Sequence, residues 1–148
     1  LTEKNYNDQI LRETLWNSKA LSSDVTAAMN PVFKSVHDSE NVARLSYGLA
    51  FAKYTGSRGK VLANDADAEF LQEIRQIFDK NKIKYQSGGF GKVDEGGGGT
   101  VAKFLAYYGI RTVDAGPALL SMHSLFEISS KADLYETYRA YKVFFELN

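Results

Sequence analysis

Apolar residues recur at helical spacing in four stretches of the chain. In the first, residues 6–19, Ile10, Leu11 and Leu15 share one face with Trp16 at its edge, and Asn7 or Asp8 is placed to cap the helix. The clearest is residues 67–80, where Phe70, Leu71, Ile74, Ile77 and Phe78 form a stripe facing a core. A shorter helix is predicted around Val101, Phe104, Leu105 and Tyr108, with Gly109 as the residue that ends it. The last carries Leu134, Tyr138, Tyr141 and Phe145. Between these lie short runs that read as strands: 20–25, 48–54, 83–86, 110–115 and, less regularly, 123–130. Residues 26–47 read as an irregular excursion around Pro31, and 88–99 as a loop.

Strands and helices therefore alternate, without repeats, linkers or heptads. That order predicts an α/β fold, with a mixed sheet and helices on both faces, and places function in loops that leave the strands. A length of 148 residues is one domain or a piece of a larger one. The chain opens on Leu1 and a polar run, which raises the expectation of a region from a longer polypeptide.

Composition narrows the chemistry. With no Cys, a disulfide scaffold, a thiolate zinc site and a cysteine nucleophile are excluded. Equal numbers of basic and acidic residues, 18 each, give no electrostatic footprint for nucleic acid or an anionic membrane. A cytoplasmic location is the expectation, with neither a membrane span nor a basic-then-apolar leader in view. Only two His are present, so a metal site must rest mainly on carboxylates or be incomplete.

Three features fall at strand ends. Asp24 follows Leu21-Ser22-Ser23 and reads either as a local turn or cap or as an acid presented where a strand leaves the sheet. His123 lies in a small-residue context after Gly116-Pro117 and is either a structural histidine or a ligand; His37 reads as an exposed loop residue. The loop 88–99 holds seven of the 12 glycines. It matches neither phosphate-binding pattern, and Asp94-Glu95 would repel phosphate. It is either a flexible hairpin loop or a backbone surface that holds a peptide main chain. Tyr107, Tyr108, Tyr135, Tyr138, Tyr141, Phe144 and Phe145 are expected to fill the core and helix faces rather than to cover a partner.

The segments Leu21-Ser22-Ser23-Asp24-Val25-Thr26-Ala27-Ala28-Met29-Asn30-Pro31, Val36-His37-Asp38, Gly99-Thr100-Val101, Asp114-Ala115-Gly116-Pro117 and Ser121-Met122-His123-Ser124, with Glu127, occur in an order that resembles the C-terminal part of the M18 metallo-aminopeptidases. The resemblance runs through essentially the whole chain. It implies part of a three-layer zinc-exopeptidase domain and a two-zinc enzyme that removes N-terminal residues from peptides. It also implies a homo-oligomer, a dodecamer for the full-length protein. By the same resemblance Asp24 ligates one metal and His123 the other, while Lys53, Gly98, Gly99 and Thr100 contact substrate.

The chain departs from the pattern in two ways. Ala27 stands where some relatives carry a histidine, which removes the basis for assuming acidic specificity. The upstream His-x-Asp, the bridging Asp, the Glu-Glu pair with the general base, and the inserted dimerisation domain have no counterpart in these residues. The expectation is the C-terminal portion of a catalytic domain, 1–148, inactive by itself. The alternative is a non-catalytic assembly or binding module on the same fold.

Overall fold

The computed structural model describes residues 6–89 and 91–147. Its elements are α1 (Asp8–Trp16), β1 (Lys19–Ser22), β2 (Thr26–Ala27), β3 (Leu49–Ala52), β4 (Tyr54–Ser57), β5 (Val61–Asp65), α2 (Ala68–Lys80), β6 (Tyr85–Ser87), α3 (Ala102–Tyr107), β7 (Arg111–Gly116), β8 (Ala118–Leu120), β9 (Ile128–Ser129) and α4 (Lys131–Phe145). The central sheet has the order β1-β7-β3-β6. It is mixed: β1 runs parallel to β7, β3 parallel to β6, and β3 antiparallel to β7. The α/β expectation is met.

Alternation along the two central strands sorts the faces. Leu49 and Phe51 of β3, with Val113 and Ala115 of β7, point into the main core. There they meet Phe70, Leu71, Ile74 and Phe78 of α2 and Ala140, Tyr141 and Phe144 of α4. Phe51 stacks on Phe78 at 5.4 Å and meets Tyr85 edge-on at 5.5 Å. The other face carries small or polar residues: Ser22, Ala50, Ala52, Thr112, Asp114 and Gly116. The start of α3 lies on this side, since Thr100 bonds to Asp114 and Ala102 is fully buried.

Local chemistry explains the element ends. Asn7 and Asp67 cap α1 and α2 by accepting the backbone N–H groups of Ile10 and Phe70 at 2.9 and 2.6 Å. Gly109, with φ +83°, follows α3 in the left-handed region. Buried Asp133 accepts the N–H groups of Ser46 and Gly48 at 2.8 and 2.7 Å, which fixes the entry into β3.

Four expectations need correction. The strand over 48–54 breaks after Ala52 and resumes as β4, which pairs with β5 in a hairpin. Residues 26–47 are more ordered than expected: β2 pairs with β8, Ala28 bridges Ala43, and Val42 bridges Gly89. In 123–130 only Ile128–Ser129 is strand, because Ser121 and His123 have φ +58° and +68°, values incompatible with a continuous strand. Of the C-terminal aromatics, Tyr141 and Phe144 pack on the core, whereas Tyr107, Tyr108, Tyr135, Tyr138 and Phe145 are exposed.

Candidate metal and substrate site

The chain crosses from the central sheet to the small sheet β2-β8-β9 at two adjacent places, β1 to β2 and β7 to β8. Asp24 sits in the first crossing and Gly116-Pro117 in the second. A Cβ at Gly116 would lie 2.1 Å from the Asp24 carbonyl oxygen, so only glycine lets the two backbones pass this closely. Asp24 is half-buried, and its Oδ1 accepts the Val25 N–H at 2.8 Å. The local turn reading is thus part of the truth: one carboxylate oxygen shapes the bend and the other has no such bond among the described residues.

Two groups brace this crossing. The Tyr141 hydroxyl, reaching from α4, lies 2.9 Å from Ser23 Oγ and donates to the Ala115 carbonyl at 2.5 Å. Burial raises the Tyr141 phenol above its ordinary value, the Ser23 hydroxyl opposes the rise, and the nearby Asp24 charge adds to it.

The second brace was missed in the sequence. Asp114, 3% exposed, stands in the register opposite Ser22 on β1 and opposite Ala52 on β3. Its Oδ2 accepts the Thr100 hydroxyl at 2.7 Å, while its buried Oδ1 has no hydrogen-bond partner among the described residues. Burial raises its pKa; the Ser22 and Thr100 hydroxyls oppose this, and the charge of Asp24 adds to it. Ser22 is near enough to favour the charged form without reaching bonding geometry. An acid inside a run of β-forming residues was the available signal.

The candidate substrate residues divide. Thr100 is buried beside Asp114. The Gly98 carbonyl accepts the Gly56 N–H at 2.9 Å, and Gly97 has φ +102° with its Cβ position 2.5 Å from the Gly56 carbonyl oxygen. This glycine segment is therefore laid along the β4–β5 hairpin rather than free, and Gly99 sits over Leu62 of β5. Lys53 is exposed at the end of β3 and pairs with Asp65 across that hairpin. It also lines a cavity of about 360 Å³ with Arg75, Ser87 and Gly89.

His123 lies apart from this cluster, on the exposed loop after β8, its N–H donating to Glu127 Oε1 at 2.6 Å. His37 is half-buried rather than exposed; its Nε2 accepts the Asn30 N–H at 3.2 Å, and burial lowers its pKa.

Among the described residues no three His, Cys, Asp or Glu side chains gather as a metal-holding group. The donor types do fit zinc: Asp24 keeps a carboxylate oxygen outside its local bond, and the side chain of His123 reaches solvent from its loop. In number they fall short of the three or four ligands that zinc takes.

The family model for aminopeptidase I zinc metalloproteases (M18) matches residues 1–145. The chain belongs to the M18 family. Curated relatives agree: the probable M18 family aminopeptidase 1 of Borrelia garinii is 57% identical over 146 residues, 99% of this chain and 32% of that protein. The Thermotoga maritima relative of the same name is 53% identical over 137 residues. An M18 family aminopeptidase crystal structure from Thermotoga maritima superposes with TM-score 0.88 at 52% identity, covering 94% of this M18 chain and 31% of that one. Aminopeptidase I from Clostridium acetobutylicum superposes at 0.85 with 51% identity. The S. cerevisiae mApe1 dodecamer, 24% identical with TM-score 0.73, shares the fold. The M18 chain thus spans about a third of the length of the relatives it matches most fully.

Proposed function

We propose that this M18 chain is the C-terminal part of the catalytic domain of a two-zinc aminopeptidase. Asp24 ligates one metal and His123 the other. Lys53, Gly98, Gly99 and Thr100 hold the peptide substrate. The family match across residues 1–145 carries this reading. The arrangement supports it: the Asp24 crossing, Thr100 and the end of β3 that leads to Lys53 all converge on one side of the sheet around Asp114.

Bound zinc would polarise a peptide carbonyl and generate a water nucleophile at neutral pH. The chain's own residues do the rest of the positioning. Asp24 is held at a bend fixed by Gly116, Ser23 and Tyr141. The glycine segment offers close backbone approach to an extended peptide, and Lys53, paired with Asp65, presents its ammonium just past the end of β3. The remaining ligands and the general base come from other parts of the longer polypeptide, and the active form is a homo-oligomer, a dodecamer, in the cytoplasm.

The test compares two proteins. The 148-residue chain alone is expected to bind zinc weakly by calorimetry and to leave an aminoacyl anilide uncleaved, because two ligands without a general base cannot hold and activate the water. The full-length polypeptide is expected to cleave it and to stop on chelation. Robust turnover by the 148-residue chain overturns the division of ligands. A zinc-loaded full-length protein without turnover overturns the enzyme and leaves the assembly module.

A further inference from the structure

A carboxylate in the middle of a sheet is costly, and its same-face neighbours on β7, Thr112 and Gly116, carry no charge. Asp114 is bordered by small residues on both neighbouring strands, Ser22 and Ala52, so an apolar side chain of similar volume would fit the same space. Among the described residues its one hydrogen bond to another side chain goes to Thr100, the last residue of the glycine segment. Its two register partners lie just before the candidate functional positions: Ser22 two residues before Asp24, and Ala52 one before Lys53.

We propose that Asp114 is a positioning residue: through Thr100 it anchors the glycine segment against the exits of β1 and β3, so that the substrate-binding backbone keeps a fixed spacing from Asp24. This rests on the aminopeptidase reading for its catalytic meaning, but the anchor itself is a property of the fold. The segment is tied at two points. The Gly98 carbonyl holds it to β4, and the Thr100 hydroxyl holds it to β7. Without the second tie, the segment is held only by the β4–β5 hairpin and not by the central sheet.

The experiment uses the full-length polypeptide with Thr100→Val, which keeps the shape and removes the donor, Thr100→Ser, which restores it, Asp114→Ala, and the Thr100→Val/Asp114→Ala double variant. Hydrogen exchange of the amides at 97–101 and steady-state hydrolysis of an aminoacyl anilide are both measured. Thr100→Val is expected to raise exchange in this segment about tenfold and KM by a similar factor, with kcat changed less. Thr100→Ser recovers most of both, and the double variant is no worse than the poorer single one. Thr100→Val with wild-type protection and KM overturns the proposal, as does a loss of thermal stability with KM unchanged. If Asp114→Ala fails to fold, the Thr100 pair decides alone. A wild-type protein without hydrolysis overturns the aminopeptidase reading, and the exchange measurement then still decides whether the anchor exists.

Discussion

The two faces of the central sheet are built from different materials. One is lined by Leu49, Phe51 and Val113 and closed by the aromatic and aliphatic stripes of α2 and α4. The other is lined by alanine, serine, threonine and glycine, and gathers Ala28, Ala43, Ala50 and Ala118 into a second, smaller cluster. Large side chains bury much area and set stability. Small ones let backbones approach one another, and it is there that Asp24, Gly116, Thr100 and Asp114 meet. The difference teaches that the first face holds the fold while the second holds the geometry.

The largest effect is expected on the aromatic side. Phe78→Ala removes a fully buried ring stacked on Phe51 and should destabilise by about 3–5 kcal/mol in urea unfolding. A loss under about 1 kcal/mol would mean that this face is not the stabilising one. Next comes Gly116→Ala, whose Cβ would strike the Asp24 carbonyl. About 1–3 kcal/mol is expected from forcing the crossings apart, together with weaker zinc retention by the full-length protein. Unchanged metal content would show that the bend does not set Asp24. Tyr141→Phe crosses between the faces, losing the bonds to Ser23 and Ala115 for about 1 kcal/mol.

His123→Ala should sharpen the contrast from the other direction. The side chain is exposed, so stability should stay within about 0.5 kcal/mol while turnover of the full-length enzyme falls by orders of magnitude. Full activity in that variant would sink the ligand assignment. The smallest effect concerns pH. Burial depresses the His37 pKa, so its contribution is present above the ordinary histidine value and fades as pH falls through the depressed one, when the protonated ring can no longer accept the Asn30 N–H. The urea midpoint should drop between about pH 7.5 and about pH 5, less so in His37→Gln. An equal drop in both proteins would place the acid sensitivity elsewhere.

How much of this was legible in the sequence follows from the same contrast. The α2 stripe was readable because burial and period coincide there. The β4–β5 hairpin was not, since Val61 and Leu62 are exposed and Leu62 has φ +54°, so no alternation marks its second strand. Asp24 and His123 stood out at strand ends, while their ligand roles and the choice of Thr100 came from the family resemblance; the structure brings Asp24 and Thr100 near Asp114 and leaves His123 on its loop. Asp114 escaped notice because an acid in a short apolar run reads as the end of a strand rather than its buried middle.

The parallel pairing of β1 with β7 has a consequence in time. Lys19 faces Arg111 and Ser22 faces Asp114, so strands far apart in the chain must find each other before the Asp24 bend exists. Closing so long a loop is slow compared with forming α2 or the β4–β5 hairpin. The helices and hairpin are therefore expected to form early, and the Asp24 crossing to be among the last parts assembled. A nascent chain that has not yet delivered β7 lacks both the Gly116 contact and the Asp114 anchor that fix this region.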